Sequence, residues 1–248
     1  MRYKIVVEYN GKDFFGWQRQ AGLPSVQEAL ENAVEKATGK TVVMTASGRT
    51  DAGVHALGQV VSFDLETSIP TEKIPYAVNV FLPSGVRILA CEEADSDFNA
   101  RFDAKRKTYL YKMYVSPHLS PLRANSAVWL TKMPDVELMK KAAKYIVGTH
   151  DFTAFAATGS TVKDFVRTVY DLTVKREGND ILLEITGNGF LYNMVRILAG
   201  TLISVGIHER EPEDMTRVLA ACDRTAAGPT APACGLTMVG ISYETKKQ

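Results

Sequence analysis

The chain has 248 residues, 46% of them hydrophobic, and its 29 Lys and Arg nearly balance 28 Asp and Glu. That length buries a sizeable core, as one large domain or two halves, and the ordinary composition excludes disordered and fibrous classes. Near-neutrality excludes a global electrostatic footprint for nucleic acid, so any such site must rest on local clustering of basic side chains.

Taken in order, residues 3–9 read as a strand, with Ile5 and Val7 on one side. The charges at Arg2, Lys4 and Glu8 argue against a signal peptide, and a cytoplasmic protein is expected. A loop follows, in which Phe14, Phe15, Gly16, Trp17, Gln18, Arg19 and Gln20 mix aromatic and polar groups suited either to stacking on bases or to covering the core. Ser25 and Glu28 form the pattern of a capping box. Val26, Ala29, Leu30, Ala33, Val34 and Ala37 then make one apolar helical stripe that Gly39 ends. Residues 40–44 and 57–65 read as two strands.

Between those strands lies Gly48-Arg49-Thr50-Asp51-Ala52-Gly53-Val54-His55-Ala56. Asp51 here has two readings. It is an Asx-turn closing a hairpin, or, with Arg49, Thr50 and His55 bringing donors to one place, a carboxylate set up for chemistry. Beyond it, residues 71–81 suggest a helix with Pro75 in its first turn, stopped at Leu82-Pro83, and residues 85–93 a fourth strand. The order β-α-β-β-α-β is that of a ferredoxin-like unit.

Residues 95–107 hold the densest basic cluster, with Arg101, Lys105, Arg106 and Lys107, and lead into a strand at 108–115 that sets Tyr109, Tyr111 and Met113 on one face. Residues 129–131 suggest a short strand. A helix is expected over 135–147, closed by Gly148, then strands over 166–176 and 181–186 that turn at Gly178-Asn179-Asp180. The most apolar stretch, 190–207, is broken by Asn193 and Arg196 and reads as a buried helix rather than a membrane span. A surface helix near 213–222 and a strand over 236–243 complete a second six-element order. These patterns predict an α+β protein of two ferredoxin-like halves, 1–103 and 104–248. The halves are expected to join into one mostly antiparallel sheet with helices on one face and a central cleft, which the family resemblance described below implies to be RNA-binding.

Asn193, Arg196, Gly200 and Ser204 share one face of the apolar helix. A guanidinium cannot shed its charge there, so an acceptor must meet it, and Asp51 is the expected partner; a structural acid or escape to solvent are the alternatives. Pairing of this kind would keep Asp51 ionised as nucleophile or base. Tyr109 is the candidate platform for a base, or else a core tyrosine. His55 reads as structural. Cys91, Cys222 and Cys234 stand far apart, without CxxC pairs or histidines at ligand spacing, which points to reduced thiols and no metal.

Four stretches closely resemble the tRNA pseudouridine synthase A (TruA) family: Phe15-Gly16-Trp17-Gln18-Arg19-Gln20, the Asp51 loop, the segment 98–111 rich in Arg, Lys and Tyr, and Phe190-Leu191-Tyr192-Asn193-Met194-Val195-Arg196. Shorter matches occur at His150-Asp151-Phe152 and along 231–243, and Asn99 stands where many relatives have His. The resemblance implies isomerisation of uridine to pseudouridine at positions 38–40 of the tRNA anticodon stem-loop, without cofactor or metal, by a homodimer. On that resemblance Asp51 is the catalytic carboxylate, Tyr109 packs on the target base, and Arg196 pairs with Asp51. Arg49 assists base flipping, and Arg101 belongs to the basic segment that meets substrate. Two other classes fit the residues less well: a non-catalytic RNA-binding module has little use for a desolvated carboxylate, and a nucleoside hydrolase needs a second acid that no comparable loop supplies.

Overall fold

The computed structural model describes residues 1–159 and 162–244, so the end of the expected second half, beyond Glu244, lies outside the described residues. It is a mixed α+β protein whose strands pair mostly antiparallel. Two compact units form. One is Met1–Lys105 together with residues 237–244, and the other is Arg106–Leu236.

In the first unit β1 (Arg2–Tyr9) lies antiparallel between β3 (His55–Asp64) and β4 (Val86–Glu93), with Ile5 opposite Val61 on one side and Cys91 on the other. A two-residue β2 (Thr45–Ala46) pairs with β3, giving the strand order of a ferredoxin-like unit. The last strand, β10 (Leu236–Tyr243), adds parallel to β3 through Thr237 opposite His55. Tyr3, Ile5, Val7 and Tyr9 alternate inward along β1 and are all buried. Leu30, Ala33 and Val34 of α1 (Val26–Thr38) and Ile74 and Val78 of α2 (Ile74–Asn79) complete this core.

Local chemistry sets the element ends. Ser25 Oγ accepts from Glu28 N at 3.3 Å to cap α1, and Gly39 ends the helix in the left-handed region at φ 70°. The expected strand over 40–44 does not form. Met44 N donates to Glu31 Oε1 at 2.9 Å and Met44 O accepts from Gln27 Nε2 at 3.4 Å, so helix side chains take backbone groups that a ladder would need. The expected helix over 71–81 divides into a 3-10 turn, Thr71–Lys73, and α2, with Pro75 in its first turn. Asn79 then bonds both Ile88 N and Ile88 O at 2.9 Å, tying the end of α2 to β4.

In the second unit β5 (Ala104–Val115), β9 (Asp180–Gly187), β8 (Val166–Glu177) and β7 (Gly148–Asp151) run in that order, each antiparallel to its neighbour, and β6 (Val128–Leu130) lies parallel to β5. The succession β5, α3 (Val136–Lys144), β8, β9, α4 (Met194–Gly206) repeats β1, α1, β2, β3, α2 of the first unit, with β6, β7 and α5 (Asp214–Ala221) as additions. Gly148 does not close α3; it begins β7 at φ 120°, and the helix ends four residues earlier, at Lys144. Nor does α4 begin at Phe190, because Asn193 takes a left-handed φ of 60° and the helix starts after it. No helix among the described residues is long and apolar enough to cross a membrane.

Candidate active site

The Asp51 loop is clamped from beneath and from one side. Asp51 O accepts from Val54 N at 3.1 Å, closing a four-residue turn whose third position, Gly53, has the φ of 80° that a type II turn demands. Thr50 O accepts from Trp17 N at 3.0 Å, and Gly48 O accepts from Gln59 Nε2 at 2.8 Å. Two glycines let neighbouring backbone come this close. A Cβ on Gly16 would lie 2.6 Å from Thr50 O, and one on Gly11 would lie 2.2 Å from Val54 O. Thr50 is buried, with its hydroxyl against that of Tyr9, while Asp51 is half-buried and Arg49 exposed. Gly11 N donates to His55 Nδ1 at 3.1 Å, which makes Nδ1 an acceptor and ties this histidine to the start of the preceding loop.

The Phe15–Gln20 stretch serves this clamp. Phe14 and Trp17 are buried and cover the core, while Phe15 is exposed. Gln18 Nε2 and Arg19 N both donate to Gln27 Oε1, at 3.0 and 3.3 Å. Arg19 pairs with buried Glu31, whose other oxygen accepts from Gln27 Nε2 at 3.0 Å. Helix α1 thereby fixes the segment that donates to Thr50.

Arg101 is exposed and lies over the exposed ring of Phe102, 5.7 Å from its centroid. Its loop is rigid at the base. Asn99 Oδ1 accepts from Arg101 N and Phe102 N at 2.9 and 3.2 Å, and Ala100 is held between Ser62 Oγ and the Tyr243 hydroxyl.

In the second unit Tyr109 is buried on β5, opposite Ile185, and meets the edge of Phe190 at 5.3 Å and 88°. Tyr111, on the same face, is wholly buried and donates to Pro232 O at 2.8 Å. Arg196 stands half-buried in the first turn of α4. Its Nε donates to Ala231 O at 2.8 Å and its Nη1 to Asn193 Oδ1 at 2.7 Å, while Ala231 N donates back to Arg196 O at 3.1 Å. Neutral oxygens therefore share the solvation of its charge. Gly200 permits this packing, since a Cβ there would sit 1.9 Å from Pro229 O. Gly228 N also donates to Thr201 Oγ1, at 2.9 Å. Asp51, Arg49 and Arg101 thus belong to the first unit, and Tyr109 and Arg196 to the second. No group of three or more His, Cys, Asp or Glu able to hold a metal ion occurs among the described residues.

A family model described as tRNA pseudouridine synthase matches residues 5–103 and 142–244, which include the Asp51 loop and the Arg196 helix. The chain belongs to this family. It is 45% identical over 239 residues to tRNA pseudouridine synthase A of Thermoanaerobacter sp. (strain X514), covering 96% of this chain and 98% of the relative. Similarity to the proteins of that name from Brevibacillus brevis (45% over 242 residues; 98% of this chain, 99% of the relative) and Bacillus licheniformis (44% over 247; 98% and 100%) is equally complete. Among solved structures it is similar to an archaeal box H/ACA Nop10–Cbf5 complex at 11% identity and a TM-score of 0.37, over 81% of this chain and 44% of that one.

Within this family member, the sequence reading missed Tyr9, Ser47 and Gln59, which form the buried floor of the Asp51 loop, and Ala231, which receives Arg196. Only Gln59 left a local signal, as an amide among the apolar residues Ala56, Leu57, Val60 and Val61.

Proposed function

We propose that this tRNA pseudouridine synthase, an isomerase, modifies uridines 38–40 of the tRNA anticodon stem-loop with Asp51 as its catalytic carboxylate. One observation carries the assignment: the backbone of the Asp51 loop is fixed by three donors, to Gly48 O, Thr50 O and Asp51 O, while Asp51 itself is only half-buried. Preorganisation of that kind is what a group that meets a reacting atom needs. The target base leaves its stack at a cost of a few kcal/mol, offset by binding of the rest of the tRNA. The N1–C1′ bond breaks, the uracil turns in place, C5 bonds to C1′, and the hydrogen on C5 passes to solvent. Tyr109 packs against the base, and Arg196 supplies the counter-charge for Asp51. Arg49, exposed beside the carboxylate, and Arg101, exposed on a rigid loop, hold the flipped nucleotide and its phosphates. The protein works in the cytoplasm as a homodimer without a cofactor.

Nucleoside analysis of a tRNA transcript after incubation tests the reading. Pseudouridine confined to positions 38–40, with no free uracil, is the expected product. Free uracil would identify a nucleoside hydrolase instead, and unchanged but bound tRNA a non-catalytic RNA-binding module.

A further inference from the structure

Beneath the Asp51 loop lies a polar network with no part in the isomerisation as described. Tyr9 OH and Thr50 Oγ1 are 2.7 Å apart, Gln59 Nε2 donates to Gly48 O at 2.8 Å and to Tyr9 OH at 3.5 Å, and Ser47 Oγ donates to Gln59 Oε1 at 2.6 Å. All four residues are buried.

Such a network is a poor device for stability alone, because apolar groups of the same shape in a buried site are often nearly neutral replacements. Its value lies in direction. Hydrogen bonds fix distance and angle where apolar contacts allow sliding, and a network satisfied throughout specifies one arrangement. Thr50 immediately precedes Asp51. Anchoring the threonine hydroxyl inward sets the side from which the next side chain leaves the backbone, while the bond from Gln59 to Gly48 O fixes where the loop begins. Burial pushes the Tyr9 phenol up to about 12, so it remains a neutral hydrogen-bonding group throughout the neutral pH range.

We propose that Tyr9, Thr50 and Gln59 are positioning residues for the isomerisation, holding the Asp51 loop so that its carboxylate meets the target nucleotide in reactive geometry. The proposal rests on Asp51 being the catalytic carboxylate. It concerns the rate of the bound complex and leaves tRNA affinity alone, since none of the three presents a group to solvent.

The test measures single-turnover pseudouridine formation at saturating tRNA, tRNA affinity by filter retention, and melting temperature. The proteins are native, Thr50→Val, Thr50→Ser, Tyr9→Phe, Asp51→Asn and, as a core variant away from the loop, Val34→Ala. Thr50→Val and Tyr9→Phe are expected to lose about 10- to 100-fold in rate, with tRNA Kd within about twofold of native. Thr50→Ser, which restores the hydroxyl, is expected within about threefold of native, and Val34→Ala is expected to keep the native rate despite a lower melting temperature. A native rate for Thr50→Val beside an inactive Asp51→Asn overturns the positioning role and leaves the catalytic assignment standing. Rate losses that track melting temperature across all variants, Val34→Ala included, also overturn it. A fully active Asp51→Asn removes the catalytic assignment and the proposal with it.

Discussion

Replacing Gly16 by Ala adds one methyl group to the segment that clamps the candidate catalytic loop, and the structure sets the size of the effect. The new Cβ would lie 2.6 Å from Thr50 O and 3.2 Å from both Ala52 N and Asp51 C, so the atoms it meets are backbone on each side of the carboxylate. None of them is the end of a flexible side chain. Ordinary contact begins at 3.4 Å, so the loop must retreat by about 0.8 Å. At φ 91° the alanine also pays about 1–2 kcal/mol for a backbone that L-residues avoid. Overpacking adds about 1–3 kcal/mol, for a total near 2–5 kcal/mol. At about 2–4 °C per kcal/mol for a chain of this size, the melting temperature should fall by roughly 4–20 °C. A displacement approaching 1 Å at a reacting group costs on the order of 100-fold in rate. Gly39→Ala supplies the control, for that glycine also has positive φ, 70°, but nothing lies within 4 Å of its Cβ. It should cost about 1–2 kcal/mol and leave the single-turnover rate unchanged. Equal effects of the two substitutions on both stability and rate would refute the idea that Gly16 sets the position of the loop.

Three further outcomes follow from particular contacts. Gly200→Ala places a Cβ 1.9 Å from Pro229 O and should cost above about 3 kcal/mol in urea denaturation, because α4 and the 228–231 segment must separate; an unchanged midpoint contradicts that packing. Arg196→Lys loses the two-armed geometry that reaches Ala231 O and Asn193 Oδ1 together, and should lower the single-turnover rate more than about 10-fold. A rate within twofold of native would show that charge alone suffices there. The Tyr9 phenol is raised from 10.0 to about 12, chiefly by burial, so its contribution to stability is intact below about pH 10 and is lost as pH rises toward 12. That loss is on the order of 3 kcal/mol. Denaturant titrations between pH 9 and 12 should show a shallower alkaline decline for Tyr9→Phe than for the native protein, and parallel declines would contradict the assignment.

Much of this architecture was legible because it is local. The Ser25 cap, the α1 stripe, the Gly39 stop and the alternation along β1 depend on residues a few positions apart, and each formed where the pattern put it. The Asp51 loop was also legible as a string, with its glycines marking the turn. Residues 40–44 misled because strand propensity there is overridden by Gln27 and Glu31, which reach across from α1. Similarly, nothing near Gly16 in the chain announces that it touches Thr50. Tyr9, Ser47 and Gln59 are ordinary residues of three separate segments, and only the pairing of both β1 and β2 with β3 brings them under one loop. The same holds for β10, which chain order assigns to the second half and whose pairing with β3 gathers it into the first unit.

The central claim is that the Asp51 carboxylate carries out isomerisation of uridine in tRNA. It is tested most directly by tritium release from a transcript labelled at C5 of uridine, comparing native protein with Asp51→Asn at matched tRNA occupancy, because C5 gives up its hydrogen only as pseudouridine forms. The account predicts release by the native protein and none above background by Asp51→Asn, with tRNA still bound. Release at the native rate by Asp51→Asn would contradict it.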